Sequence, residues 1–473
     1  MAGYERLSVE DRLHLDLEDP NIHTHIAAVL VIDGGPLLRD DGGVDIDRVR
    51  DLLDARLFRL PRYRQRIARI PVSDHPVWVD DASFNLAYHV RHTHLPTPGD
   101  ERLLKRLVGR VVSQKLDRGK PLWEMWVVEG LEHDRIALVA KVHHCMADGI
   151  ASVQLFQALL SLEPEKEFDP PPVWLPRPVP EPGELLRDAV RQRLKMPLEL
   201  MGSLISALRE PRQSAAQLRR GIESLRASQA SQALPASETP LNEPIGPHRR
   251  FDWLSLDLDE VRRVRRAVGG TLNDLVLATV TGAAGDFLEQ RGISRRDQEE
   301  LDFRVSCPVS TRRRKDRARS GNRVSALIVP LPLAEQDPVA RLRRITETTR
   351  SLKETHQELA AKITQAVSEY SWPGLYTSFA RGMLEGRSAN LIVSDVPGPR
   401  APLYLLGARV LEAYPLVPLL PGQALGIACL SYAGGLFWGF NADWDRVPDL
   451  HDFVIAVDRS FRELCEAVQN EEA

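Results

Sequence analysis

Two adjacent histidines, His143 and His144, are followed after three residues by Asp148 and Gly149. A neutral imidazole, with an ordinary pKa near ~6.5, can take a proton from an alcohol at neutral pH. An aspartate at this spacing can fold back to hold a histidine or a basic partner. The four residues lie within IALVAKVHHCMADGIASVQLFQALL, Ile136 to Leu160. Its first part, Ile136 to Val142, is a nearly continuous apolar run, as expected of a buried strand. After a short loop, Ile150, Val153, Phe156, Leu159 and Leu160 recur at helical spacing, and Asp148 is a good N-cap. The group therefore converges where a strand ends and a helix N-terminus offers free N–H groups and partial positive charge.

Side chains alternate along a strand, so the two histidines should face opposite ways. His144 would point with Val142 and Ala140, and His143 with Lys141 and Val139. His144 is the candidate general base, and His143 reads as structural. The plainer alternative is a pair of hydrogen-bonded core histidines, but the spacing to Asp148-Gly149 at such a junction favours chemistry. There is no HExxH, no nearby third ligand and no cysteine pair with ligand spacing, so no metal is expected. Nor is there a GxSxG elbow, a P-loop or a dinucleotide glycine fingerprint.

His143 to Gly149 resembles the HHxxxDG motif of the coenzyme A-dependent acyltransferase superfamily. Pro121-Leu122-Trp123-Glu124 looks like the PLWE box of bacterial wax ester synthase/diacylglycerol acyltransferases. Asn273-Asp274 looks like that family's ND box, and Ser394-Asp395-Val396-Pro397-Gly398-Pro399 resembles its SNVPGP box. The start, LSVEDRLHLDLEDPNIHTHIAAVLVID, is similar to its first helix and strand. Two departures bear on substrate detail: Asp395 replaces the usual Asn, and Ala27 stands where Gly is usual. The resemblance spans essentially the whole chain. It implies an α/β fold of the α+β type, with two chloramphenicol acetyltransferase-like domains holding mixed sheets. It also implies an organising role for Asp148, with Gly149 at the helix start. Asn273, Asp274, Ser394, Pro121 and Trp123 would lie near substrate. The simpler reading makes Asn273 and Asp274 helix-start residues, and Pro121, Leu122 and Trp123 packing under the catalytic strand.

The activity so implied is transfer of a fatty acyl group from acyl-coenzyme A to diacylglycerol or a long-chain alcohol. Acyl-coenzyme A would be a co-substrate, with no bound cofactor. Direct attack on a thioester needs a general base, a donor for the developing oxyanion and two lined channels. Two alternatives stand beside it: a related acyltransferase with a carrier-bound donor or more polar acceptor, and an idle lipid-binding scaffold. The intact HHxxxDG argues against the scaffold.

These groups need a frame, and 473 residues suffice for two domains. Apolar content of 43% and charged content of 27% are those of a globular protein. A formal charge of −4 argues against general nucleic-acid binding. Four cysteines without pairing spacing suit a reducing cytoplasm. No apolar run reaches the ~18–20 residues of a spanning helix, so contact with a membrane or lipid-droplet surface would be peripheral.

Residues 1–163 read as the first domain, with a helix capped by Ser8, a strand from His25 and helices over Val44 to Phe58 and Glu101 to Leu116. Leu86 to Val90 reads as a short strand, and Trp123 to Val128 as an antiparallel partner of the His strand. Residues 164–249 read as a Pro-rich, then helical, crossover. Its Arg187, Arg191, Arg193 and Lys195 read first as a solvated face and second as a contact with anionic lipid. Residues 250–473 read as the second domain, with Thr271 capping the helix of Asn273 and Asp274. The basic run Arg312 to Arg323 reads as a solvated loop ahead of a contact for coenzyme A phosphates.

Overall fold

The computed structural model describes residues 4–71, 75–146, 159–181, 183–184, 187, 235–310, 324–367 and 388–472. Asp148 and Gly149 lie outside them. So do Ile150, Val153 and Phe156, the basic run 312–323, and the crossover's Arg191, Arg193 and Lys195.

The chain starts with a short strand β1 (Tyr4–Arg6) and helix α1 (Val9–Leu17). Ser8 caps α1 by accepting the Asp11 N–H at 3.0 Å. Strand β2 (His25–Asp33) and helix α2 (Ile46–Leu57) follow, then β3 (Gln65–Arg69) and β4 (Pro76–Asp80). The stretch read as a strand at Leu86 to Val90 is instead a one-turn helix, α3 (Leu86–His89), leading into β5 (Val90–His94). Asn85 turns the chain by accepting the Ala87 N–H, a local side-chain bond that competes with strand pairing. Helix α4 (Glu101–Ser113) precedes the antiparallel pair β6 (Trp123–Glu129) and β7 (Arg135–His143).

Beyond the crossover come β8 (Arg249–Asp257), α5 (Leu258–Val268), α6 (Leu272–Gln290) and α7 (Arg295–Gln298). They are followed by β9 (Arg304–Ser310), β10 (Val324–Pro330), α8 (Pro338–Val367) and β11 (Leu391–Pro397). The chain closes with β12 (Tyr404–Leu405), β13 (Ala408–Leu416), β14 (Leu425–Tyr432), β15 (Gly435–Asp443) and α9 (Leu450–Glu472). Thr271 and Asp274 form a reciprocal capping box at the start of α6.

Among the described residues the strands form two mixed six-stranded sheets and a small three-stranded one. The first runs β12-β13-β2-β7-β6-β5, with only β5 and β6 parallel. The second runs β10-β9-β11-β14-β15-β8, with β11 parallel to both its neighbours. The two sheets do not follow the division at residues 163 and 250. Strands β12 and β13 come from the C-terminal part yet extend the N-terminal sheet, where β13 pairs with β2. Strand β15 shows how the halves share a core. Its Leu436, Trp438 and Phe440 pack with α6 and α9, while the alternating Phe437 packs with Trp253, Tyr414 and the first sheet.

Candidate functional site

Strand β7 ends at His143, and its position is set by three elements. Opposite it on β2 lies His25. From the segment before β6, the Leu122 carbonyl accepts the His143 N–H at 2.9 Å. From the loop after α1, Thr24 Oγ1 lies 2.9 Å from His143 Nε2.

The proton positions on His143 follow from its partners. The Cys145 N–H donates to Nδ1 at 3.2 Å, so the ring's proton is on Nε2. Thr24 Oγ1 donates its own proton to the His14 carbonyl at 2.9 Å, so it accepts from Nε2–H. Burial, then the neighbouring His25, hold His143 well below its usual pKa, and the ring is neutral. Both nitrogens are therefore engaged.

Glu18 reaches the same place from the end of α1. Its Oε1 lies 3.3 Å from His25 Nε2 and 3.9 Å from His143 Nε2. Its Oε2 accepts two bonds from Arg118, at 2.7 and 3.0 Å. Burial alone would raise the Glu18 pKa, but the His25 contact, His143 and Arg118 outweigh it and hold it at about 2. Glu18, His25 and His143 offer three ligand atoms within 4.8 Å of one another. His143 Nε2 carries the proton it gives Thr24, and Arg118 already balances Glu18, so the trio fits a structural cluster better than a metal centre.

His144 is placed differently. Side-chain alternation does not set its direction, because β7 has ended and His144 begins a turn. Its N–H donates to the Thr24 carbonyl at 2.8 Å. Its half-buried ring stacks on His14 of α1, with centroids 4.0 Å apart and planes 18° apart. The two histidines do part company, His143 toward Glu18, Thr24 and His25, His144 toward His14. Burial, then His144 and His143, push the His14 pKa well below 6.5.

The residues of the PLWE-like box divide among support roles. Pro121 is buried, and the Leu122 carbonyl holds the end of β7. Trp123 donates its indole N–H to the Tyr63 carbonyl at 2.8 Å and stacks on His89. Glu124 pairs at 2.6 Å with Lys141, a fully buried lysine that also donates to the carbonyls of Val111 and Gln114.

A second set gathers in the other half. Asp274 is buried, and both its oxygens are occupied. Oδ2 accepts the Thr271 N–H at 2.8 Å, and Oδ1 accepts the Thr349 hydroxyl at 2.7 Å. This is the helix-start role. Asn273 beside it is half-buried, as is Ser394 on β11. Asp395, next to Ser394, pairs in register with Cys429, and its Oδ1 is buried with no hydrogen-bond partner. Burial raises the Asp395 pKa to about 6.

Reading the sequence missed His14, Glu18 and Thr24. The clue was present in LHLDLEDPNIHTH, which crowds three histidines and several acids into a short segment.

Residues 7–276 match the wax ester synthase/diacylglycerol acyltransferase catalytic domain, and residues 320–465 match the WS/DGAT C-terminal domain. A putative diacylglycerol O-acyltransferase of Mycobacterium tuberculosis is 33% identical over 470 residues, 97% of this chain and 96% of that protein. A probable diacylglycerol O-acyltransferase of the same organism is 32% identical over 450 residues, 94% and 92% respectively. Among solved structures, the wax ester synthase/diacylglycerol acyltransferase from Marinobacter aquaeolei superposes with a TM-score of 0.66 at 24% identity, covering 98% of this chain and 100% of that one. The starter condensation domain of rhizomide synthetase gives a TM-score of 0.59 at 16% identity, covering 99% and 95%. These two likenesses establish the two-domain fold. The sequence matches, running through both halves, show that the chain belongs to the wax ester synthase/diacylglycerol acyltransferase family and is an acyltransferase.

Proposed function

We propose that the chain transfers a fatty acyl group from acyl-coenzyme A to the hydroxyl of diacylglycerol or a long-chain alcohol, with His144 as general base. The observation that carries this assignment is the engagement of His143. One of its ring nitrogens donates to Thr24 and the other accepts from Cys145, so the proton-accepting role falls to its neighbour. His144 takes the acceptor's hydroxyl proton as the oxygen attacks the thioester carbonyl. The tetrahedral intermediate collapses, the C–S bond breaks, and the histidinium returns its proton to the coenzyme A thiolate. Asp148 is assigned the organising role that the HHxxxDG match implies. Asn273 and Ser394, both half-buried, are the polar groups of the second half offered to substrate. The acyl donor is a co-substrate, and the reaction asks for no resident cofactor.

The acceptors are nearly insoluble in water, so the reaction is placed at a lipid surface. No helix among the described residues is long and apolar enough to cross a membrane. The extended Pro-rich part of the crossover exposes Val173, Leu175 and Val179. It is anchored by Arg177 on Asp80, at 2.8 and 3.1 Å. Apolar side chains on a fixed backbone suit reversible contact with a membrane or lipid body.

One experiment tests the reading: coenzyme A release from palmitoyl-coenzyme A with vesicle-borne diacylglycerol, with hexadecanol and with a soluble short alcohol. The parent should prefer a lipid acceptor. His144→Ala should lose ~10²–10⁴-fold with every acceptor while melting like the parent. Near-parental turnover by folded His144→Ala would remove the base assignment. Preference for the short alcohol would remove the lipid acceptor.

A further inference from the structure

We infer that His14 is a positioning residue for the reaction, the flat wall that fixes the ring of His144. This rests on His144 as the general base. Because β7 stops at His143, strand alternation does not set the direction of the His144 side chain. Its backbone is held by the Thr24 carbonyl, at 2.8 Å from the His144 nitrogen. Its ring is held by a plane from a different element, His14 of α1, at 4.0 Å and 18°. An imidazole free to turn about χ1 and χ2 would aim its nitrogen at the acceptor hydroxyl only part of the time. A misplacement of about 1 Å can cost on the order of 10²-fold in rate.

Thr24 makes the two histidines one unit. Its hydroxyl donates to the His14 carbonyl at 2.9 Å and accepts from His143, while its carbonyl takes the His144 N–H. Helix α1, the α1–β2 loop and the end of β7 are thus tied within a single residue. The helix cannot slide without carrying the wall away from the base. The Ser8 cap at one end and the Glu18–Arg118 pair at the other keep α1 in place. The half-buried His14 ring, its pKa held well below the usual value by desolvation, stays neutral, so it does not repel the histidinium that forms on His144 during turnover.

The test compares His14→Leu, which fills the space without a flat ring, with His14→Phe, which restores the plane. Each is made alone and combined with His144→Ala, and coenzyme A release from palmitoyl-coenzyme A with hexadecanol is followed. His14→Leu should lower kcat about tenfold or more, with KM for the acyl donor within about twofold of the parent. His14→Phe should recover kcat to within about threefold. In the His144→Ala background, neither change should lower the residual rate further, because the wall acts only through the base. Parental kcat in His14→Leu, or equal losses in Leu and Phe, would overturn the inference while leaving the base assignment intact. So would a His14→Leu loss of the same size with and without His144. Parental turnover by His144→Ala would instead overturn the base assignment, and the inference with it.

Discussion

Asp395 shows how one residue can set a pH response. Its carboxyl oxygen is buried on β11 without a hydrogen-bond partner, and burial raises its pKa from the usual 3.8 to about 6. The folded chain therefore holds a proton there that the unfolded chain releases between those two values. The stabilising advantage of that proton is fully present below pH 3.8 and is lost as pH rises through about 6. Above pH 6 the native state carries a buried carboxylate, at a cost of order 3 kcal/mol. Asp395→Asn keeps the shape and removes the charge. It should raise the melting temperature at pH 8 and have little effect near pH 4, as followed by thermal melts at the two pH values. An equal shift at both would mean that ionisation of Asp395 does not govern stability. The sequence revealed Asp395 as a departure from the SNVPGP-like box, but its energetic consequence needed the strand pairing that buries it. The spacing singled out His144 as a candidate, whereas nothing in it pointed to the His14 ring that stacks on it. His14 lies 130 residues earlier, and contacts made only in the folded chain, among them the bond from Thr24 to its carbonyl, bring it beside His144.

At the scale of elements, helices and strands with strong periodicity or a clear cap were legible: α1 behind Ser8, α6 behind Thr271, and the β6–β7 hairpin. Helix α3 was misread because four residues are too few to show a period, and the Asn85 side-chain bond decided the outcome. The alternation in β7 also hid something, since Lys141 stands in an otherwise apolar run. The fold answers with Glu124, directly opposite on β6 and 2.6 Å away, and with two carbonyls from the end of α4. This arrangement locks α4 to the hairpin that ends at His143. Removing one partner of a buried pair strands the other, at about 3–5 kcal/mol. Lys141→Met and Glu124→Leu should each cost about that much in urea unfolding. The double variant should cost less than their sum by more than ~1 kcal/mol, since it leaves neither a buried Lys141 without Glu124 nor a buried Glu124 with only the part-exposed Arg91, 3.4 Å away. Strict additivity would show that the two side chains do not stabilise each other.

The whole molecule is joined where its two sheets meet, and composition and periodicity carried no sign of that joint. The strands of the C-terminal part each looked like members of their own domain, yet β13 leaves it to pair with β2, whose neighbour β7 ends at His143. The contact that allows this is local and severe. A Cβ on Gly439 of β15 would sit 1.7 Å from the Pro415 carbonyl oxygen of β13, with Phe251 at 3.3 Å behind it. Backbone stands in the way, so no side-chain rotation relieves the clash, and only glycine lets the sheets approach. Tyr414 next to Pro415 stacks on Trp253 at 4.9 Å, so a shift of β13 would also open that aromatic seam. Gly439→Ala should therefore lower the urea midpoint by the equivalent of ~3 kcal/mol or more, at the upper end for overpacking. Gly183→Ala, where nothing lies within 4 Å, should leave it unchanged. The activity of Gly439→Ala should fall even below the unfolding transition, because displacing β13 tilts β2 and with it the strand end that sets His143 and Thr24. An unchanged midpoint with full turnover would mean that the sheets can separate at this point without loss, and that the catalytic half does not depend on the strand it borrows.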